Sequence, residues 1–150
     1  LRADEWPDIY FTYIKGPFAE MVHTEDYANL NLSIIDSPSS IDDFINKTDI
    51  GFTLFGVSFF EMIYQAIPTI LYMPKHVKDY HISDTLKALQ ICSIVEDEEQ
   101  GVEEIKKLTE LPALRNRYQE NLKKLELENG LATFCHELSM LLEARTTCTY

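Results

Sequence analysis

The chain has 150 residues, 45% of them apolar, and a formal charge of −12 at pH 7. That length fits one domain able to bury about two-thirds of its unfolded surface, and so acidic a balance argues against nonspecific binding of nucleic acid or anionic membrane, both of which need a basic face. No apolar run approaches the ~20 residues that span a bilayer and no basic-then-apolar leader opens the chain, so the expectation is a soluble, cytoplasmic domain over residues 1–145 with a frayed tail at 146–150.

Asp8–Gly16 (DIYFTYIKG) is rich in β-branched and aromatic residues and stops at Gly16-Pro17, which predicts a buried first strand. Phe18–Asp26 predicts a short helix. Asn29–Ser37 alternates and ends at the turn signal Asp36-Ser37-Pro38, giving a second strand. Ser39/Asp42 and Ser40/Asp43 carry the spacing of a helix start, followed by the stripe Ile41, Phe44 and Ile45. Asp49–Phe55 is the third strand. Ser58–Ala66 predicts a helix with Phe59, Phe60, Ile63 and Tyr64 on one face, closed by Pro68. Thr69–Pro74 is the fourth strand, Ser83–Gln90 a helix and Cys92–Glu96 the fifth strand.

The remainder reads as helical and is broken at Pro112. Its stripes are Val102, Ile105 and Leu108, then Leu114, Tyr118, Leu122 and Leu125, then Leu131, Phe134, Cys135, Leu138, Leu141 and Leu142. Strands that alternate with helices predict an α/β fold with a parallel sheet and right-handed crossovers.

Several chemistries find no motif. The cysteines Cys92, Cys135 and Cys148 have no Cys-x-x-Cys spacing and read as reduced thiols. His136-Glu137 begins a zinc-protease motif, but Met140 stands at the second histidine position. Neither a nucleophile elbow nor a phosphate-binding P-loop occurs. No cofactor and no metal is expected.

The turn Gly56-Val57-Ser58, with Glu61 one helical turn on, is the candidate site. It follows a strand, and in open α/β sheets ligands bind at the carboxyl ends of strands. A helix start there offers unpaired amides and a positive dipole end, which suit phosphate. Gly56 permits close approach to the backbone, Ser58 adds a hydroxyl, and the two oxygens of Glu61 suit a ribose diol. Ser58-x-x-Glu61 is equally the spacing of a helix capping box. Lys75, His76, Lys78 and His81 form a second polar group after the fourth strand, where a solvated loop is the plain reading.

Thr48–Pro74 (TDIGFTLFGVSFFEMIYQAIPTILYMP) resembles the C-terminal nucleotide-binding half of the GT-B glycosyltransferases. The nearest group is that of the MurG-type peptidoglycan enzymes and the UDP-sugar hydrolases of pseudaminic acid synthesis. Asp49, Gly56, Ser58, Glu61, Pro68 and Pro74 fall into that pattern, and the order of elements agrees from Ile9 to Leu142. The resemblance implies a Rossmann-like three-layer sandwich and a UDP- or CMP-linked nucleotide sugar as ligand. It implies phosphate at Gly56, Val57 and Ser58, ribose at Glu61 and the base near Asp36; His81, in the polar loop after the fourth strand, is a further substrate-binding candidate. Val57 stands where the family has a second glycine, and Asp79-Tyr80-His81 where it has an Asn-Gln pair.

Against the family's order, the chain opens on the second strand, without the first strand, its glycine-rich loop, or the acceptor-binding N-terminal domain. Taking that strand out of the order 3-2-1-4-5-6 leaves a five-stranded, mostly parallel sheet of order 2-1-3-4-5. The sheet either closes over the gap or is completed by an N-terminal domain or second chain. The function so implied is donor binding in a glycosyltransferase or UDP-sugar hydrolase of polysaccharide biosynthesis. The alternative is a non-catalytic interaction domain whose cleft is filled by Phe55 and Val57.

Overall fold

The structure is a computed structural model and describes residues 6, 8–20, 22–28, 30–127, 130 and 136. Five strands form two parallel sheets. In the first, β1 (Tyr10–Lys15) pairs with β2 (Asn31–Asp36), Tyr10 opposite Asn31 and Lys15 opposite Asp36. In the second, β4 (Thr69–Tyr72) lies between β3 (Gly51–Leu54) and β5 (Cys92–Val95). Gly51, Thr69 and Cys92 stand in one row across it.

The helices are α1 (Asp42–Ile45), α2 (Val57–Tyr64), α3 (Ser83–Leu89), α4 (Glu98–Glu110) and α5 (Pro112–Lys124). α4 starts where Asp97 accepts a 2.9 Å bond from the Gln100 amide, with Glu98 and Glu99 favouring the helix dipole. It ends where Arg115 donates to the carbonyls of Leu108 and Thr109, while Pro112 opens α5.

Alternation along the strands of the larger sheet builds two cores. Leu71, Met73 and Cys92 face Phe59 and Ile63 of α2 and Leu86 of α3. Ile70 and Val95 face Leu108 of α4 and Tyr118 of α5. Because Tyr118 belongs to one core and Leu122 to the other, α5 closes the β5 side of the sheet. A buried polar node sits there too: Ser93 donates to Glu104 at 2.6 Å and lies 2.9 Å from the Tyr118 hydroxyl. Met62 of α2 and Phe52 of β3 fit over glycines. A Cβ on Gly51 would lie 2.3 Å from Met62 Sδ, and one on Gly101 would lie 3.0 Å from the Phe52 ring.

Three expectations change. The strands make two sheets, and β1 does not pair with β3 as the order 2-1-3-4-5 requires. The helix expected over Phe18–Asp26 is not formed in its described part; a 3-10 turn spans Thr24–Tyr27 and Phe18 is fully exposed. Finally, α2 does not bury one four-residue face, since Phe60 and Tyr64 are exposed. Of the last helical stripe, all residues from Leu131 to Leu142 lie outside the described residues, as does the tail at 146–150. No helix among the described residues is long and apolar enough to cross a membrane.

Candidate functional site

β3 runs out at Leu54, and two residues later the chain enters α2, whose N-cap is Gly56. The Phe59 and Phe60 amides return to the Gly56 carbonyl at 3.1 and 3.4 Å, so the first turn closes on the cap residue itself. The amides of Gly56, Val57 and Ser58 have no backbone acceptor among the described residues. They are consecutive donors at the positive end of the α2 dipole. Gly56 has φ 169°, extended backbone open to any residue, and a Cβ there would meet nothing within 4 Å apart from its chain neighbours.

The capping box is not built. Ser58 lies inside the helix, one residue past its start, and no side chain caps α2. Among the described residues neither Ser58 nor Glu61 makes a side-chain hydrogen bond or ion pair. Both are half-buried, and Glu61 follows the free amides by one turn. Phe55 is turned toward Phe59 and Phe60, ring centroids 5.8 and 5.5 Å away, and joins the core on the α2 side. Val57 is 75% exposed.

In the second polar group, Lys75 is already paired. Glu96, just past β5, accepts from the Tyr80 hydroxyl at 2.5 Å and pairs with Lys75 at 3.0 Å. The Tyr80 hydroxyl and then the Lys75 ammonium hold its carboxyl below the usual glutamate range. Val77, Tyr80 and Ile82 pack on the core that Phe55 joins, so this loop and the Gly56 turn rest on one support. His81 is exposed on a 3-10 turn, its Nδ1 3.2 Å from the Lys78 carbonyl oxygen. No sequence pattern marks Glu96: a lone glutamate ending a strand looks like a solvated turn, and its tyrosine lies sixteen residues back.

Asp36 ends β2 in the other sheet. It accepts from Lys15 at 3.0 Å and from Ser37 at 2.9 Å, and Lys15 first among these holds its carboxyl below the usual range. So the structure joins Gly56, Val57, Ser58 and Glu61 in one turn, seats His81 on the neighbouring loop, and places Asp36 at the end of a separate sheet. Cys92 is buried, and burial pushes its thiol up to about 12, which makes it a core residue and a poor nucleophile.

Chemically, three consecutive amides without a backbone acceptor and a carboxylate one turn on, unpartnered among the described residues, can hold an anion and a vicinal diol. No protein-family model, curated protein or solved structure matches the chain.

Proposed function

We propose that this chain is the donor-binding domain of a GT-B-type glycosyltransferase or UDP-sugar hydrolase of polysaccharide biosynthesis in the cytoplasm. It takes the phosphates of a UDP- or CMP-linked sugar at the Gly56–Ser58 turn and the ribose at Glu61. One observation carries this reading: consecutive amides at the carboxyl end of a parallel strand with no backbone acceptor, and Glu61 one turn on with no partner, among the described residues. A capping box would have accounted for Ser58 and Glu61 without a ligand, and none is made. The same reading takes the two sheets as halves of one Rossmann-like sheet.

Breaking the bond from sugar to phosphate leaves negative charge on the departing oxygens. The amides of the turn and the helix dipole offset that charge as it develops. Transfer and hydrolysis differ in the nucleophile, and the groups that activate it come from outside this chain. By itself the chain binds donor and turns nothing over.

Titration with UDP, CDP, GDP and CMP, followed by thermal shift and by amide NMR, tests this. One nucleotide binds saturably, and at 100 times its Kd it stabilises the fold by about 2.7 kcal/mol. Glu61→Ala removes hydrogen bonds to a charged group, a loss of about 1.5–3 kcal/mol, or roughly ten- to hundredfold in affinity. No response from any of the four at millimolar concentration overturns the reading.

A further inference from the structure

The last paired row of the larger sheet is Leu54, Tyr72 and Val95, so its three strands end level. The Met73 amide extends the pairing by one bond, donating to the Val95 carbonyl at 2.8 Å. Past that row lie the Gly56 turn after β3, the loop 75–82 after β4, and Glu96 directly after β5. β4 is the middle strand, so its loop leaves the sheet between the other two ends.

The loop has one polar attachment. Among the described side chains of residues 75–81, every hydrogen bond or ion pair that reaches another element ends on Glu96. The Tyr80 hydroxyl donates to one carboxylate oxygen at 2.5 Å, and the Lys75 ammonium lies 3.0 Å from the other. Within the loop, the Val77 amide donates to the Pro74 carbonyl at 3.0 Å and the Tyr80 amide to the Val77 carbonyl at 3.2 Å. Glu96 is itself held. Its amide donates to the Gln100 side chain at 3.1 Å, and Gln100 donates through its amide and its side chain to Asp97, the cap of α4. Val77, Tyr80 and Ile82 also pack on the core, but apolar packing does not call for a carboxylate, whose removal from water is unfavourable.

We propose that Glu96 is a positioning residue: by clasping Tyr80 and Lys75 at once, it sets the loop 75–82, and His81 with it, at the same strand ends as the Gly56 turn. That the loop bears on a bound donor rests on the donor-binding reading; the clasp itself does not. Glu96 faces Lys75 and Tyr80 from the loop and the positive charge of Lys87 from α3, and Asp84 of α3 is the acidic group near Tyr80. Tyr80 first, and then Lys75, hold the Glu96 carboxyl below the usual glutamate range. The clasp is therefore whole above that range and is lost as pH falls through the lowered value.

The test is amide hydrogen exchange by NMR on the full chain without nucleotide, with rates corrected for the intrinsic effect of pH. Glu96→Gln keeps the shape and removes the charge, while Tyr80→Phe keeps the ring and removes the hydroxyl. At pH 7 each variant speeds exchange of the Val77 and Tyr80 amides about tenfold, the effect of losing one hydrogen bond to a charged group. Ile70 and Leu71 of β4 keep their wild-type rates. The double variant is little faster than either single one, because both changes break the same bond. Below the usual glutamate range the two loop amides speed up in the wild type and not in Glu96→Gln. The proposal is overturned by unchanged loop exchange in either single variant, or by multiplying effects in the double one. It is equally overturned by a wild-type loop indifferent to acid, or by Ile70 and Leu71 opening together with the loop. Because no nucleotide is present, a failed clasp and a failed donor site are separate results.

Discussion

Gly56 stands in a conformation that any residue adopts, with room for a side chain, so its folding requires no glycine. An added methyl would stand at the turn where the phosphate is proposed to bind, with nothing else within 4 Å of it. Gly56→Ala therefore costs no more than about 1 kcal/mol in denaturant unfolding, the loss expected of alanine at an N-cap, and weakens nucleotide binding in the titration above. Equal affinity for both proteins would remove the turn from the site. The spacing of Ser58 and Glu61 was legible in the sequence, but its meaning was not. A Ser-x-x-Glu pattern marks a helix start without saying which residue is the cap, and here the cap falls two residues earlier, on Gly56.

α2 shows what periodicity can and cannot give. The pattern identified the helix, and Phe59 and Ile63 do face the core, yet Phe60 and Tyr64, adjacent in the same stripe, stand in solvent. A 3.6-residue period groups neighbours on a broad arc, and the width that is buried depends on what lies opposite. Phe59→Ala should cost about 3–5 kcal/mol as a buried aromatic, and Phe60→Ala less than about 1 kcal/mol, both read from urea unfolding. Comparable losses would mean that Phe60 is covered in solution. Strands, α4 and α5 were legible for the same reason, each having a strong period or a cap signal. Phe18–Asp26 forms no helix in its described part because its apolar residues are too few to bury a face, and strand pairing is out of reach because no local pattern encodes which edges meet.

The two sheets are unequal partners. Both cores draw on β4, β5 and the helices, and neither includes a residue of β1 or β2. A two-stranded sheet with little buried surface is marginal by itself. Native-state hydrogen exchange should therefore show the paired amides of β1 and β2, such as Tyr13 and Ile35, opening at a lower free energy than Ile70 and Leu71 of β4. Identical opening energies across both sheets would show that the chain unfolds as one unit. The parallel α/β arrangement was legible in the chain order of elements; this division was not, since it depends on which strands the helices cover.

Met62 rests on the backbone of β3 at Gly51, with no side chain between helix and strand. That contact ties the body of α2 to the most regular part of the larger sheet only a few residues from its N-terminus. The aim of the Gly56, Val57 and Ser58 amides is thus fixed when the domain folds. An anion bound there, as proposed, would meet donors whose conformational freedom was lost earlier, so its affinity would not be reduced by the entropy of ordering a loop.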